Sequence, residues 1–294
     1  MKAIFHLGAR ALDISPLATQ FPNIRFAVTR TPADVAQEIG DAELLIVATS
    51  AYTRDFVAMV NANARALKWV QFTTSGIDSV LKNGGFPPGV IVTNSAGLRA
   101  ANLSEHAFAM LLFLARRFRV LESQRAAGKW RREPVYSTEV SLNRRMLLII
   151  GMGAVGQAAA TKARAFGMRV IAVSRAYGPD EYVSAVYPRD GALEAFAQAD
   201  VVLVSATSDA QTRNYLDAEK FAVMKPSAFV INVARGDIID EAALIEACAS
   251  GRIAGAGLDV CVDEPPLPDS ALWTLDNVFL SPHIGAGGND DSAT

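Results

Sequence analysis

The sequence is poor in the residues that staple or metallate a fold. Its 294 residues include two cysteines and three histidines. Cys248 and Cys261 make neither a disulfide framework nor paired metal-ligand motifs, so a disulfide-stapled scaffold and a zinc module are not expected, and a reducing, cytoplasmic compartment is. No metal site is expected either. A surplus of charge of one sign is also missing. Twenty-eight Lys and Arg against thirty Asp and Glu leave a formal net charge of −2, which gives no general drive toward nucleic acid or an acidic membrane surface. The basic runs Arg116-Arg117-Phe118-Arg119 and Lys129-Trp130-Arg131-Arg132 are interspersed with apolar residues, and read as a solvated face or a subunit contact. Long hydrophobic stretches are lacking too. The opening run at residues 3–7 is too short for a secretion signal and reads as a first strand ended by Gly8. The run at 108–115 falls well short of the ~20 residues a membrane span requires. Neither a short-period repeat nor a low-complexity tract is visible.

What remains is a chain that is 51% hydrophobic and 20% charged, longer than the ~250 residues at which one core stops growing. Two domains are therefore expected. Strand-like runs at 3–7, 24–28, 44–49, 69–73 and 90–93 alternate with polar or helical connections, the rhythm of parallel βα units. Residues 102–122 lack glycine and proline and predict one connecting helix. A second series starts at Arg145 and continues with strands at 170–173, 201–205, 229–233, 255–259 and 278–280. These runs are rich in branched apolar residues, as in a parallel sheet covered on both faces. The expected fold class is α/β, with two doubly wound parallel-sheet domains and a cleft between them. Residues 1–101 would form a flavodoxin-like substrate domain, with 285–294 as candidates to complete it. Residues 102–284 would form a Rossmann-like dinucleotide-binding domain.

An apolar strand at 146–150 runs straight into Gly151-Met152-Gly153-Ala154-Val155-Gly156, and a helical run rich in alanine follows. Gly-x-Gly-x-x-Gly alone is a weak signal, but here it has a strand before it, a helix after it and another strand near Val170. Gly151 permits the tight turn, Gly153 lets the backbone approach a pyrophosphate, and Gly156 allows close helix–sheet packing. The helix N-terminus, with Ala154 and Val155, would offer N–H groups to the phosphates. About twenty residues on, an NAD site presents a carboxylate to the ribose. This chain has Ser174-Arg175 there, which points to NADP(H). An exposed arginine beside an NAD(H) site is the alternative reading.

Three later segments each follow a strand: Asn232-Val233-Ala234-Arg235-Gly236-Asp237, then Asp259 to Glu264-Pro265, then Ser281-Pro282-His283. Arg235, Asp259, Glu264 and His283 should thus lie at carboxyl ends of strands, where open α/β sheets bind ligands. Reduction of a 2-keto acid needs a cation to hold the carboxylate and polarise the carbonyl, and an acid to protonate the new alkoxide. Arg235 suits the first task and His283 the second. Glu264, bonded to the other ring nitrogen, would fix the orientation of the ring.

On these motifs, and on Ile238-Ile239-Asp240-Glu241, the chain resembles the D-isomer-specific 2-hydroxyacid dehydrogenase family over nearly its whole length. The resemblance implies Arg235, Glu264 and His283 as the catalytic set and Asp259 as a contact of the nicotinamide carboxamide. It implies that Ser75 and Gly76, in Ser75-Gly76-Ile77-Asp78, offer backbone N–H groups to the substrate carboxylate. Thr207, Thr212, Val233 and Ala234 join the expected cofactor contacts. Ser174-Arg175, Thr207 and Trp130 look like the glyoxylate/hydroxypyruvate reductase branch, which uses NADPH. Thr207 stands where many NAD-using relatives have proline. The expected partners are a small 2-keto or 2-hydroxy acid and a second copy of the chain, as a homodimer. Family chains continue past the histidine motif into a helix that packs back on the first domain, whereas this sequence stops at Thr294, which puts that closure in question.

Other readings stay open. A lone histidine usually serves packing or hydrogen bonding, which is the ordinary reading for His6 and His106. Side chains near Ser75, Tyr52 and Arg99, with Trp130 of a partner subunit, would set the pocket width. A non-catalytic dinucleotide-sensing protein of the same fold is the alternative function. A formate dehydrogenase fits less well, since that reaction needs no proton donor.

Overall fold

The alternation of short apolar runs with helical connections builds two parallel sheets, and each belongs to its own part of the chain. The computed structural model describes residues 1–8, 13–133 and 135–287, and the chain divides after Leu98.

The first unit contains strands β1 (Lys2–His6), β2 (Arg25–Thr29), β3 (Leu44–Val47), β4 (Trp69–Phe72) and β5 (Ile91–Thr93). All pair in parallel in the order β2-β1-β3-β4-β5, the flavodoxin-like order. Helices α1 (Ser15–Gln20), α2 (Pro32–Glu38), α3 (Arg54–Asn63) and α4 (Asp78–Lys82) connect them. Thr31 starts α2 with a reciprocal cap: its hydroxyl accepts the Asp34 N–H while Asp34 accepts the Thr31 N–H, which satisfies two otherwise orphaned donors. Ile4, Leu45, Val47, Val70 and Phe72 of the sheet pack with Val35, Ile39, Phe56 and Val60 of the helical layer.

The second unit contains β6 (Met146–Ile150), β7 (Arg169–Val173), β8 (Ala185–Tyr187), β9 (Val201–Val204), β10 (Phe229–Asn232), β11 (Gly255–Leu258) and β12 (Val278–Leu280). Its helices are α5 (Ala100–Ala115), α6 (Phe118–Ala126), α7 (Val135–Thr138), α8 (Ala154–Ala165), α9 (Leu193–Gln198), α10 (Ala218–Val223) and α11 (Glu241–Ala249). The strand order β12-β11-β10-β9-β6-β7-β8 is that of a Rossmann sheet with a seventh strand, and the order reverses between β6 and β9. Side chains alternate across a strand, so β6 divides itself between two cores. Met146, Leu148 and Ile150 join Phe196, Phe221 and Leu244 on one face. Leu147 and Ile149 join Phe108, Leu111, Ala159, Ala160 and Ala163 on the other. A strand buried on both faces has no polar positions, which is why these segments read as unbroken apolar runs.

Two expectations need correction. The connecting segment is two helices, α5 and α6, because Arg117 turns left-handed at φ 58°. Its strain, roughly 1–2 kcal/mol, is offset by bonds that need the turn: Val140 N–H closes on the Ala115 carbonyl, and Arg119 Nη2 reaches the Val278 carbonyl at 2.5 Å. The second correction is β8, which the sequence reading omitted because three half-buried residues carry too little pattern. Residues 285–287 lie with the second unit, where Gly285 N–H bonds Asp259. Residues 288–294 lie outside the described residues.

The glycines of the first turn of α8 differ in what a side chain would meet. A Cβ on Gly156 would stand 2.3 Å from the Gly151 carbonyl oxygen and 3.2 Å from Ile149, whereas one on Gly153 meets open space. Gly156→Ala is therefore expected to push α8 off β6 at a cost of about 1–3 kcal/mol, read as a fall in Tm of several degrees. Gly153→Ala should leave Tm within about a degree. Equal Tm values for the two variants would show that contact at Gly156 does not set the helix–sheet distance.

Candidate active site

Loops at the carboxyl ends of the second sheet carry most of the predicted residues. β6 is followed at once by Gly151, whose φ of 94° only glycine adopts without strain. A Cβ there would lie 2.5 Å from the Ala206 Cα, so the loops after β6 and β9 touch at the point where strand order reverses. Ser205 Oγ donates to the Gly151 carbonyl at 2.8 Å. The exposed Gly153 and Ala154 and the half-buried Val155 open the twelve-residue helix α8 toward solvent. This cradle fits a dinucleotide pyrophosphate: the turn is tight, the position facing the phosphates has no Cβ, and a helix N-terminus supplies donors.

At the end of β7, Ser174 donates its N–H to the Tyr187 carbonyl on β8, and the exposed Arg175 reaches across to the loop after β9. Its guanidinium lies 3.1 Å from Gln211 Oε1 and 3.4 Å from Asp209 Oδ2. Arg189, just beyond β8, approaches the same two side chains at 3.2 and 3.5 Å. Two guanidiniums thus share one carboxylate. The Gln211 N–H, then the Thr212 hydroxyl and the Arg189 charge, hold Asp209 below the usual carboxylate range. Thr212 is fully buried and its hydroxyl donates to the Thr207 carbonyl at 2.8 Å. It shapes the Thr207–Gln211 turn rather than facing outward. Arg189, Asp209 and Gln211 escaped the sequence reading because they come from separate loops with no shared motif.

After β10 the buried Val233, then Ala234, lead into Arg235. Asn232 secures this turn twice, accepting the Ala234 N–H at 3.0 Å and donating to the Arg235 carbonyl at 2.9 Å. Gly236 lies against the next loop: a Cβ there would stand 2.0 Å from the Cys261 backbone. That loop carries Asp259 and Glu264. Glu264 Oε1 accepts the Cys261 N–H at 3.3 Å, and its Oε2 lies 2.7 Å from Nδ1 of His283. A carboxylate cannot donate, so Nδ1 carries the hydrogen and Nε2 is the nitrogen turned to other work. Glu264 and His283 are 40% and 49% exposed, open enough for a substrate to reach.

Asp259 is placed differently from its neighbours, being 1% exposed. Its Oδ1 accepts the Ser281 hydroxyl at 2.7 Å and the Ile284 N–H at 2.9 Å, and its Oδ2 accepts the Gly285 N–H at 2.9 Å. His106 Nε2 stands 2.9 Å from Ser281 Oγ and 3.2 Å from Asp259 Oδ1. Between these contacts sits His283, left-handed at φ 54°. The sequence reading placed Asp259 at the site but had no signal that its carboxylate fastens the histidine loop.

Ser75 and Gly76 lie in the first unit, in the loop between β4 and α4. Ser75 Oγ donates to the Ser95 carbonyl at 3.2 Å, Asn94 donates to the Ser75 carbonyl at 2.7 Å, and Thr74 donates to the Gly76 carbonyl at 3.1 Å. Tyr52, expected to influence pocket width, is instead wholly buried against Phe56, Phe72 and Phe86. Burial pushes its hydroxyl up to about 12. His6 is a packing residue, stacked on Phe56 and 3.1 Å from Thr29 Oγ1. Burial holds its imidazole below the usual range.

Residues 108–285 match the D-isomer specific 2-hydroxyacid dehydrogenase, NAD binding domain, and the chain belongs to the D-isomer-specific 2-hydroxyacid dehydrogenase family, which includes a glyoxylate reductase branch. It is 31% identical over 277 residues to the D-3-phosphoglycerate dehydrogenase of Methanocaldococcus jannaschii, covering 93% of this chain and 51% of that protein. It is 34% identical over 231 residues to the glyoxylate reductase of Thermococcus litoralis, covering 76% and 69%. The chain thus spans about half the length of the first of these and about two thirds of the second. A D-isomer specific 2-hydroxyacid dehydrogenase family protein of Aeromonas salmonicida superimposes with a TM-score of 0.85 at 30% identity, over 99% of this chain and 92% of that one.

Cys261 sits among Glu241, Glu264 and Asp259, and burial, then those three charges, push its thiol up to about 12; burial does the same at Cys248. A thiol raised so far carries very little reactive thiolate near neutral pH. Both cysteines should therefore resist iodoacetamide at pH 8 in the folded protein and react in urea. Prompt alkylation of Cys261 in the native state would show that the loop does not shield it.

Proposed function

We propose that the protein is an NADPH-preferring reductase of small 2-keto acids of the glyoxylate and hydroxypyruvate kind, giving the D-2-hydroxy acid. The observation that carries this reading is the 2.7 Å bond between His283 Nδ1 and Glu264 Oε2, on loops that Gly236 joins to Arg235. The Gly151–Gly156 turn would hold the pyrophosphate of a reduced dinucleotide, with Thr207, Val233, Ala234 and Asp259 among its further contacts, and the cofactor would supply a hydride for the substrate's carbonyl carbon. Arg235 holds the substrate carboxylate and polarises its carbonyl. His283 delivers the proton from Nε2 to the carbonyl oxygen, and Glu264 keeps the ring turned for that transfer. The Ser75–Gly76 loop offers backbone donors for a carboxylate. Ser174, Arg175 and Arg189 read the 2′-phosphate, with Thr212 shaping the loop opposite them.

We propose further that two copies associate as a homodimer in a reducing, cytoplasmic setting. The apolar side chains displayed by α6 and the segments near it support this. Trp130 is fully exposed, and Phe118 and Trp273 are 44% and 52% exposed.

Steady-state oxidation of NADPH and NADH with glyoxylate, hydroxypyruvate, pyruvate and phenylpyruvate tests the activity. Arg235→Ala should raise KM and lower kcat, because it removes a contact made in ground and transition states alike, and His283→Ala should mainly lower kcat. Unchanged reduction after either substitution in a folded protein removes that residue from the mechanism. Dinucleotide binding without turnover of any acid would favour the sensing role instead.

Cofactor choice gives a sharper expectation. A charge-assisted phosphate contact, ~1.5–3 kcal/mol, corresponds to roughly a ten- to hundredfold preference for NADPH in kcat/KM. Arg175→Ala should erase most of it. Asp209→Asn should raise it several-fold, because the carboxylate competes with the phosphate for Arg175 and Arg189. An unaltered preference in both variants would show that this cluster does not read the phosphate.

A further inference from the structure

We propose that His106 is a positioning residue for His283, holding the loop of the proton donor through one directed N–H. This rests on the reading of His283 as the general acid. His106 lies on α5, far in sequence from the catalytic motifs, and its side chain is 22% exposed. Its Nε2 faces two oxygens, Ser281 Oγ at 2.9 Å and Asp259 Oδ1 at 3.2 Å. Ser281 has one hydroxyl hydrogen and donates it to Asp259 at 2.7 Å. The carboxylate has none. Both oxygens facing Nε2 are therefore acceptors, and Nε2 must carry the hydrogen.

The same ring fills space beside the loop. A Cβ on Gly285 would stand 3.1 Å from His106 Cδ2 and 3.2 Å from Leu103, as well as 2.7 Å from Asp259 Oδ2. His106 thus completes the wall against which residues 284 and 285 pack. Apart from Asp259, the nearby charges on α5 and α8 are engaged locally. Glu105 and Lys162 approach at 4.0 Å, and Lys162 Nζ donates to Ser104 Oγ at 2.9 Å.

His283 occupies a left-handed conformation that persists only while its surroundings over-determine it. Removing the Nε2 donor frees the Ser281 end of the clamp and opens room beside Gly285. The ring of His283 then departs from its place beside the substrate oxygen, while Arg235 and the glycine turn stay as they were. Displacing a catalytic group by about 1 Å costs on the order of a hundredfold. The loss belongs in kcat and not in KM.

His106→Ala and His106→Asn, which cannot place a donor at the reach of Nε2, should lower kcat about ten- to a hundredfold with KM for keto acid and for NADPH within about twofold. His106→Gln, whose amide N–H reaches as far, should restore kcat to within about threefold. Nitrogen-15 NMR of histidine-labelled wild-type protein should show the His106 proton on Nε2, its signal identified by loss in His106→Gln. A wild-type kcat in both His106→Ala and His106→Asn overturns the proposal, as does a His106→Gln enzyme no better than His106→Asn, or a proton on Nδ1. Should the alanine variant fail to fold, the Asn and Gln pair and the wild-type spectrum decide. Retained activity in His283→Ala would overturn the underlying reading instead, and the NMR result would still report the bond.

Discussion

Much of the loop architecture at the edge of the second sheet depends on one buried carboxylate. Asp259 receives a hydroxyl and two backbone N–H groups, each hydrogen bond to a charged group contributing roughly 1.5–3 kcal/mol. The left-handed His283 between them costs about 1–3 kcal/mol. Three such bonds outweigh that strain, so the loop can hold a conformation that a histidine would not choose alone. The same loop that bears Asp259 also bears Glu264, which grips the imidazole at Nδ1. One segment therefore fixes the backbone of His283 through one carboxylate and its ring through another, and the two constraints act at different depths. The buried group sets geometry, while the exposed one stays open to solvent.

Glycine makes that convergence sterically possible. A side chain at Gly236 would occupy the Cys261 backbone, one at Gly151 the Ala206 backbone, and one at Gly285 the Asp259 carboxylate. Each lies where two strand-end loops meet, so adjacent carboxyl ends of β6, β9, β10, β11 and β12 are drawn together by backbone contact. Arg235 is brought beside the Glu264 loop by this close approach of Gly236 to the Cys261 backbone. The close packing of loops is the consequence of a parallel sheet whose strands all end on the same edge.

Much of this was legible in the sequence because the physics is local. A strand, the glycine turn and a helix in succession declare the cradle, and unbroken apolar runs declare strands covered on both faces. What escaped has a common cause. The break at Arg117 carries no glycine or proline, since distant bonds to Val140 and Val278 support the turn. The cluster of Arg175, Arg189, Asp209 and Gln211 is assembled from loops after three different strands. Tyr52 looked like a pocket residue, but its partners Phe56, Phe72 and Phe86 belong to separate elements and draw it inward. The clamp on His283 joins residues more than twenty positions apart, and His106 is 175 positions from Ser281. Long-range partners leave no periodicity to read.

The charge arrangement at the end of β7 bears on how sharply a cofactor can be chosen. Two guanidiniums around one carboxylate leave a single net positive charge, with Asp209 engaged by the Gln211 and Thr212 N–H groups and not by the arginines alone. A doubly charged phosphate entering this cluster must outcompete a carboxylate that the loop itself holds in place. The contest is between anions at an exposed site, where solvent screens both. Discrimination there is moderate by construction, because Asp209 already pairs with both arginines before any phosphate arrives. In the proposed reductase, selectivity for the phosphorylated cofactor is thus a difference between two occupied states of the same arginines, and the carboxylate sets its scale.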